Sequence, residues 1–107
     1  MSFFDVHRLP PIAAGPGITR RAVYLDNVMM TFFEFEPGTA VPEHQHPHEQ
    51  ITLVLEGEME FTLDGQTRTL QAGEGVTIPP NVRHGAHILS RPTRAVDAWH
   101  PVREDYK

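Results

Sequence analysis

Apolar and β-branched residues fall in short runs along this chain, each closed by glycine, proline or an Asp-Asn pair. The runs at 18–25, 28–36, 50–56, 59–64, 66–71, 76–79, 84–89 and 94–99 are rich in Val, Ile, Thr and Phe and predict eight short strands. The longest stretch free of both breakers, ending at Glu36, is itself divided by the turn-favouring pair Asp26-Asn27, so helices have little room. Phe61 to Leu63 alternates and then meets Asp64-Gly65, the strongest short hairpin signal, while Glu56-Gly57-Glu58 predicts a second tight reversal. Antiparallel neighbours follow. The expected architecture is all-β, one domain over 1–107 with its core at about 18–100, as a closed barrel or a jelly-roll sandwich. Residues 1–17, with Pro10-Pro11 and Gly15-Pro16-Gly17, predict an irregular arm.

Composition narrows the function. The 107 residues suffice for one core at 39% hydrophobic content and leave no room for a separate cofactor-binding module. With 9 basic residues against 14 acidic ones, a formal charge of -5 and no basic run, nucleic acid is not an expected partner. Zero cysteines exclude disulfides, thiolate metal sites and cysteine nucleophiles, and fit a reducing compartment. No basic leader and no membrane-length apolar run is present, so the expected location is the cytoplasm.

Seven histidines in so short a chain invite a metal reading, and spacing decides which of them matter. If 42–52 runs extended, His44, His46 and Gln50 project to one face, and Gln45 and Glu49 to the other. His84 follows a strand closed by the turn Pro79-Pro80-Asn81, which would hold a third imidazole rigidly. Three imidazoles and one amide oxygen suit a divalent transition metal with open coordination positions, the mark of a catalytic site. Taken alone, His44-Gln45-His46 reads as a pair of surface histidines. His48 shares the parity, but Pro47 bends the chain beside it, and it is not counted as a ligand.

The wider pattern resembles the cupin family. Its first motif appears as Gly38, five residues, His44-Gln45-His46, three residues, Gln50, six residues, Gly57. The second appears as Gly73, five residues, Pro79-Pro80-Asn81, two residues, His84, three residues, Ile88. The resemblance implies a jelly-roll barrel with one divalent metal (Zn, Ni, Mn or Fe) inside it, held by His44, His46, Gln50 and His84. Asn81 stands where the family has a turn glycine, a mild change because Asn tolerates positive φ, and Ile88 replaces a closing Asn. Gln50 stands where most members have Glu; a neutral ligand leaves the full charge of the ion to attract and polarise an anionic substrate.

Asp97 and Trp99 share a parity near the end of the chain, and Arg103 follows a break at Pro101. Inward-facing, they would supply an acid/base, a stacking wall and a carboxylate fork. This ending, together with the His, His, Gln, His set, resembles the KdgF-like cupins that linearise unsaturated uronates in pectin and alginate breakdown. That likeness implies Asp97 and Arg103 as catalytic groups, with Trp99, Arg103 and Thr52 contacting a small carboxylated sugar. Thr52 stands where that branch sometimes has Gln. Two alternatives remain open: an iron- or nickel-dependent dioxygenase, and a non-catalytic metal-binding cupin acting as a small-molecule sensor. The family resemblance also implies a homodimer, with apolar residues of 28–35 as the candidate face.

Overall fold

The computed structural model describes all 107 residues. Ten strands form two antiparallel sheets: β1 (Ile12–Gly15), β2 (Ile18–Tyr24), β3 (Met29–Phe35), β4 (Ala40–His44), β5 (Glu49–Glu56), β6 (Glu58–Leu63), β7 (Gln66–Gln71), β8 (Gly75–Ile78), β9 (His84–Ile88) and β10 (Thr93–His100). The larger sheet runs β1-β2-β3-β10-β5-β8 and the smaller β4-β9-β6-β7, with short 3-10 turns at Val6–Arg8 and Glu104–Tyr106. The result is a two-sheet jelly roll; the sheets are not joined into one hydrogen-bonded barrel. No helix is long and apolar enough to cross a membrane.

The eight expected strands all form, and Asp64 (φ 48°) and Gly65 (φ 82°) take the two positive-φ positions of the β6–β7 hairpin. Two strands were not expected. Gly15 and Gly17 let the segment of the supposed irregular arm turn back, so that β1 pairs with β2. β4 forms despite Pro42 because it is an edge strand, where a missing N–H costs nothing on its open side.

Gly57 corrects the expected hairpin. β5 pairs with β10 and β8, whereas β6 pairs with β7 and β9, so the chain at Gly57 crosses between sheets. Its φ of 83° and the 2.5 Å that a Cβ would leave to the Pro92 carbonyl require glycine there.

Between the sheets lies a core of Phe33, Phe35, Val54 and Ala95 from the larger sheet and Met59, Phe61, Leu70 and Ile88 from the smaller. A second cluster of Met29, Trp99 and Val102 packs at one end. Alternation in β3 sends Met29, Thr31, Phe33 and Phe35 inward, so only part of the apolar 28–35 run, notably Met30 and Phe32, faces outward. β5 inverts the usual pattern: Gln50, Thr52 and Val54 are inside, while Ile51, Leu53 and Leu55 are exposed. Polar side chains inside and aliphatic ones outside mark where this sheet does something other than pack.

Candidate metal centre

The expected metal set does not lie on one extended strand. The chain leaves β4 at His44, turns through Gln45 to His48, and enters β5 at Glu49 on the other sheet. Pro47 and the change of sheet break the extended run, and a corner between sheets brings His46 and Gln50 round to His44. His84 begins β9 and lies opposite His44 in the strand register. Asn81, just before it, adopts φ 62°, the left-handed turn that its amide tolerates.

The three imidazoles converge, each offering a nitrogen within 4.8 Å of the others. Every Nδ1 is tied to a nearby backbone carbonyl: His44 to Pro42 at 2.9 Å, His46 to His48 at 3.1 Å and His84 to Val82 at 2.9 Å. A carbonyl accepts only, so each Nδ1 carries the proton and each Nε2 keeps its lone pair. Burial lowers the His46 pKa and holds that of His84 at about 4, which keeps both rings neutral near pH 7. His84 Nε2 is buried with no partner.

Gln50 completes the set. Its Oε1 stands 2.9 Å from His46 Nε2. With the His46 proton on Nδ1, these are two acceptors facing each other, an arrangement that a cation between them relieves. Two ligand atoms about 2.1 Å from a shared ion and at right angles are about 3 Å apart, close to this spacing. The donor set therefore fits a divalent transition metal. Glu49 is exposed on the opposite parity, and His48 packs edge-on to His46 and Trp99 without joining the group.

What aims Gln50 is a buried hydrogen-bond chain. Gln50 Nε2 donates to Thr52 Oγ1 at 2.8 Å, and Thr52 Oγ1 donates to Asp97 Oδ1 at 2.6 Å. Asp97 Oδ1 accepts whether the carboxyl is ionised or carries its proton on Oδ2, so it sets the direction of both bonds and leaves Gln50 Oε1 facing the imidazoles. The register supports this, with Asp97 opposite Thr52 and Trp99 opposite Gln50. Burial pushes the Asp97 carboxyl up to about 7, against the hydrogen bonds from Thr52 and Gln50 and the charge of Arg103.

Asp97, Thr52, Gln50, Trp99, His44 and His84 line a cavity of about 140 Å³ between the sheets. A cavity near 150 Å³ holds a benzene molecule, so this one accommodates a single six-membered ring. The Trp99 indole is fixed by its N–H donated to Thr31 Oγ1 at 2.9 Å. Arg103 folds back over Trp99 and Tyr106, its guanidinium carbon 5.0 and 3.9 Å from their ring centres. Its Nε and Nη2 bond to Asp105, whereas Nη1 is buried and unpaired. Arg20 and Tyr106 also line the cavity and had no signal in the sequence, because Arg20 sits in a polar run beside Arg21 and Tyr106 among charged residues.

Residues 31–99 match the family model described as the cupin domain. Pectin degradation protein KdgF of Dickeya dadantii (strain 3937) is 31% identical over 94 residues, 86% of each chain. Among solved structures, KdgF from Halomonas sp. superposes with a TM-score of 0.93 at 33% identity, over 98% of this chain and 97% of that one. An RmlC-like cupin from Shewanella frigidimarina NCIMB 400 superposes with a TM-score of 0.94 at 29% identity, over 100% and 96%.

Proposed function

Because this chain belongs to the cupin family and is KdgF-like within it, we propose that it linearises 4,5-unsaturated uronates, the products of pectin or alginate lyases, to the open keto-uronate. The observation that carries this reading is the chain from Gln50 through Thr52 to Asp97, which puts a buried carboxyl and a candidate metal ligand on the wall of one ring-sized cavity.

The substrate is a cyclic enol ether with a carboxylate on C5. Asp97 Oδ1 is engaged by Thr52, so Oδ2 is the atom that delivers a proton to C4. Water adds at C5, the resulting hemiketal loses its C5–ring-oxygen bond to give a C5 ketone, and the C1 hydrate left behind loses one water to become the aldehyde. Water is taken up and returned, so the net chemistry is an isomerisation without oxidation or reduction. A carboxyl raised to about 7 is partly protonated near neutral pH, as this role needs. Trp99 supplies a fixed indole wall, and Arg103 Nη1 a donor for the substrate carboxylate. His44, His46, Gln50 and His84 would hold a divalent ion, which supplies electrostatic stabilisation of charge developing on a substrate oxygen. Gln50 adds no negative charge to that site.

We also propose a homodimer through the outer face of the larger sheet, where Met30, Ile51, Leu53 and Leu55 stand exposed together.

The deciding experiment is incubation with a purified lyase product while the unsaturated-uronate absorbance is followed, with metal analysis of the same sample. Metal-dependent loss of absorbance is expected. No loss on any such uronate sinks the proposal, and oxygen consumption with Fe(II) would favour a dioxygenase.

A further inference from the structure

Seven ion pairs engage seven of the nine basic side chains in this protein, each with an Asp or Glu. Arg68 and Arg20 remain. Arg68 is exposed on β7, at the edge of the smaller sheet, where water serves it. Arg20 is different: it is half-buried on β2, lines the central cavity, and its Nε is buried without any hydrogen-bond partner. A buried N–H donor beside the apolar side chains of Ala14, Ile18 and Phe33, on a cation with no carboxylate against it, is a donor that the fold leaves unsatisfied.

Tyr106 ties Arg20 to Arg103. The guanidinium carbons of Arg20 and Arg103 lie 4.2 and 3.9 Å from the centre of that one ring, so the two cations are separated by no more than the sum of these distances. Stacking uses the flat face of a guanidinium and leaves its in-plane N–H groups free to donate. Arg103 spends Nε and Nη2 on Asp105, which leaves Nη1, also buried and unpaired. Two guanidiniums stacked on one ring at the cavity wall, each with a buried N–H that has no partner, call for an anion that takes both donors.

We propose that Arg20 is a substrate-recognition residue of this cavity, its Nε and the Nη1 of Arg103 together holding the carboxylate of a small organic acid. A carboxylate has two oxygens and each donor takes one. The charge of Arg103 is already compensated by Asp105, so Arg20 supplies the uncompensated cation that selects an acid over its neutral counterpart. Tyr106 is the positioning residue that fixes the two guanidinium planes. That the acid is a uronate rests on the function proposed above; the cation pair does not.

The test uses metal-free full-length protein and two saturated probes, galacturonate and galactose, titrated by calorimetry. Wild-type protein is expected to bind galacturonate at least about tenfold tighter, the range of a hydrogen bond to a charged group. Equal affinities, or no binding of either at millimolar concentration, overturn the inference. Arg20→Gln should abolish the preference while leaving galactose binding unchanged; a purely structural role for Arg20 would instead weaken both sugars alike. Arg20→Lys keeps a cation but removes Nε, and should lose part of the preference; it decides the matter if Arg20→Gln has no thermal transition. Full wild-type preference in either variant overturns the assignment. A preference that survives without any uronate turnover leaves Arg20 standing and removes the uronate reaction, so the two failures are distinguishable.

Discussion

Replacing Thr52 with valine tests whether the buried hydrogen-bond chain aims the amide of Gln50. Thr and Val are nearly isosteric and Thr52 is 4% exposed, so the change opens no cavity and deletes one hydroxyl. That hydroxyl makes two bonds, accepting from Gln50 at 2.8 Å and donating to Asp97 at 2.6 Å. Its loss leaves a buried amide donor unpaired and deprives a buried carboxylate of its neighbour on β5, each at about 1–3 kcal/mol, or about 2–6 kcal/mol together. At about 4–8 °C per kcal/mol for a domain of this size, the metal-free protein should melt at least about 8 °C lower. Without Thr52 the Gln50 amide has no fixed direction, and metal affinity should fall about 10–100-fold, as for other groups that orient a ligand. A tenfold loss removes about 1.4 kcal/mol from the stabilisation that saturating metal confers, so melting curves with and without metal read both effects. Thr52→Ser should restore most of each. A valine variant that melts within about 2 °C of wild type and binds metal equally would refute the claim that the chain from Asp97 positions Gln50.

His46→Ala should remove most of the bound metal, measured as metal per chain after dialysis; unaltered content would put the site elsewhere. Gln50→Glu should tighten metal binding yet slow turnover, since a carboxylate is the stronger ligand but cancels charge that attracts an anionic substrate; equal or faster turnover at full occupancy would count against this. Asp97→Asn should lower kcat on an unsaturated uronate at least about a hundredfold with metal content unchanged, whereas Arg103→Ala should act mainly on KM. In metal-free protein the same Asp97→Asn change should also alter the pH dependence of folding. Folding raises the Asp97 pKa from 3.8 to about 7 and so favours the protonated form. Its contribution is intact below about pH 3.8 and lost as pH rises through 7, by about 4 kcal/mol at most. Chemical denaturation at pH 5 and pH 8 should show wild type losing ground to the variant at the higher pH, and parallel profiles would refute burial as the cause. Leu53→Lys should yield monomers in sedimentation if the outer sheet face joins two copies.

Much of this protein was legible in its sequence because local chemistry encodes it. Breakers and β-branched runs marked eight strands, Asp64-Gly65 marked its hairpin, and the spacing of His44, His46, Gln50 and His84 named the residues that converge. The shared parity of Asp97 and Trp99 likewise turned out to be the inward one. Tertiary structure decided what depends on partners distant in the chain. At Gly57 the same tight turn serves a hairpin or a crossing between sheets, and only the pairing of β5 with β10 distinguishes them. Shared parity in a strand was the wrong reason for expecting these side chains to converge, since His46 reaches its neighbours through a corner that Pro47 helps to make. The inverted faces of β5 were equally hidden: aliphatic Ile51, Leu53 and Leu55 would fit a core, and it is the carboxylate of Asp97, forty-five residues from Thr52, that draws the polar face inward. Arg20 stands at the far end of that scale. No local pattern separates it from Arg21, and its meaning comes from Tyr106, near the opposite end of the chain, which stacks against both Arg20 and Arg103, a second guanidinium with an unpartnered N–H. Hydrogen bonds between neighbours act along the chain and can be read there; desolvation of a charge depends on everything that surrounds it, and exists only once the chain has folded.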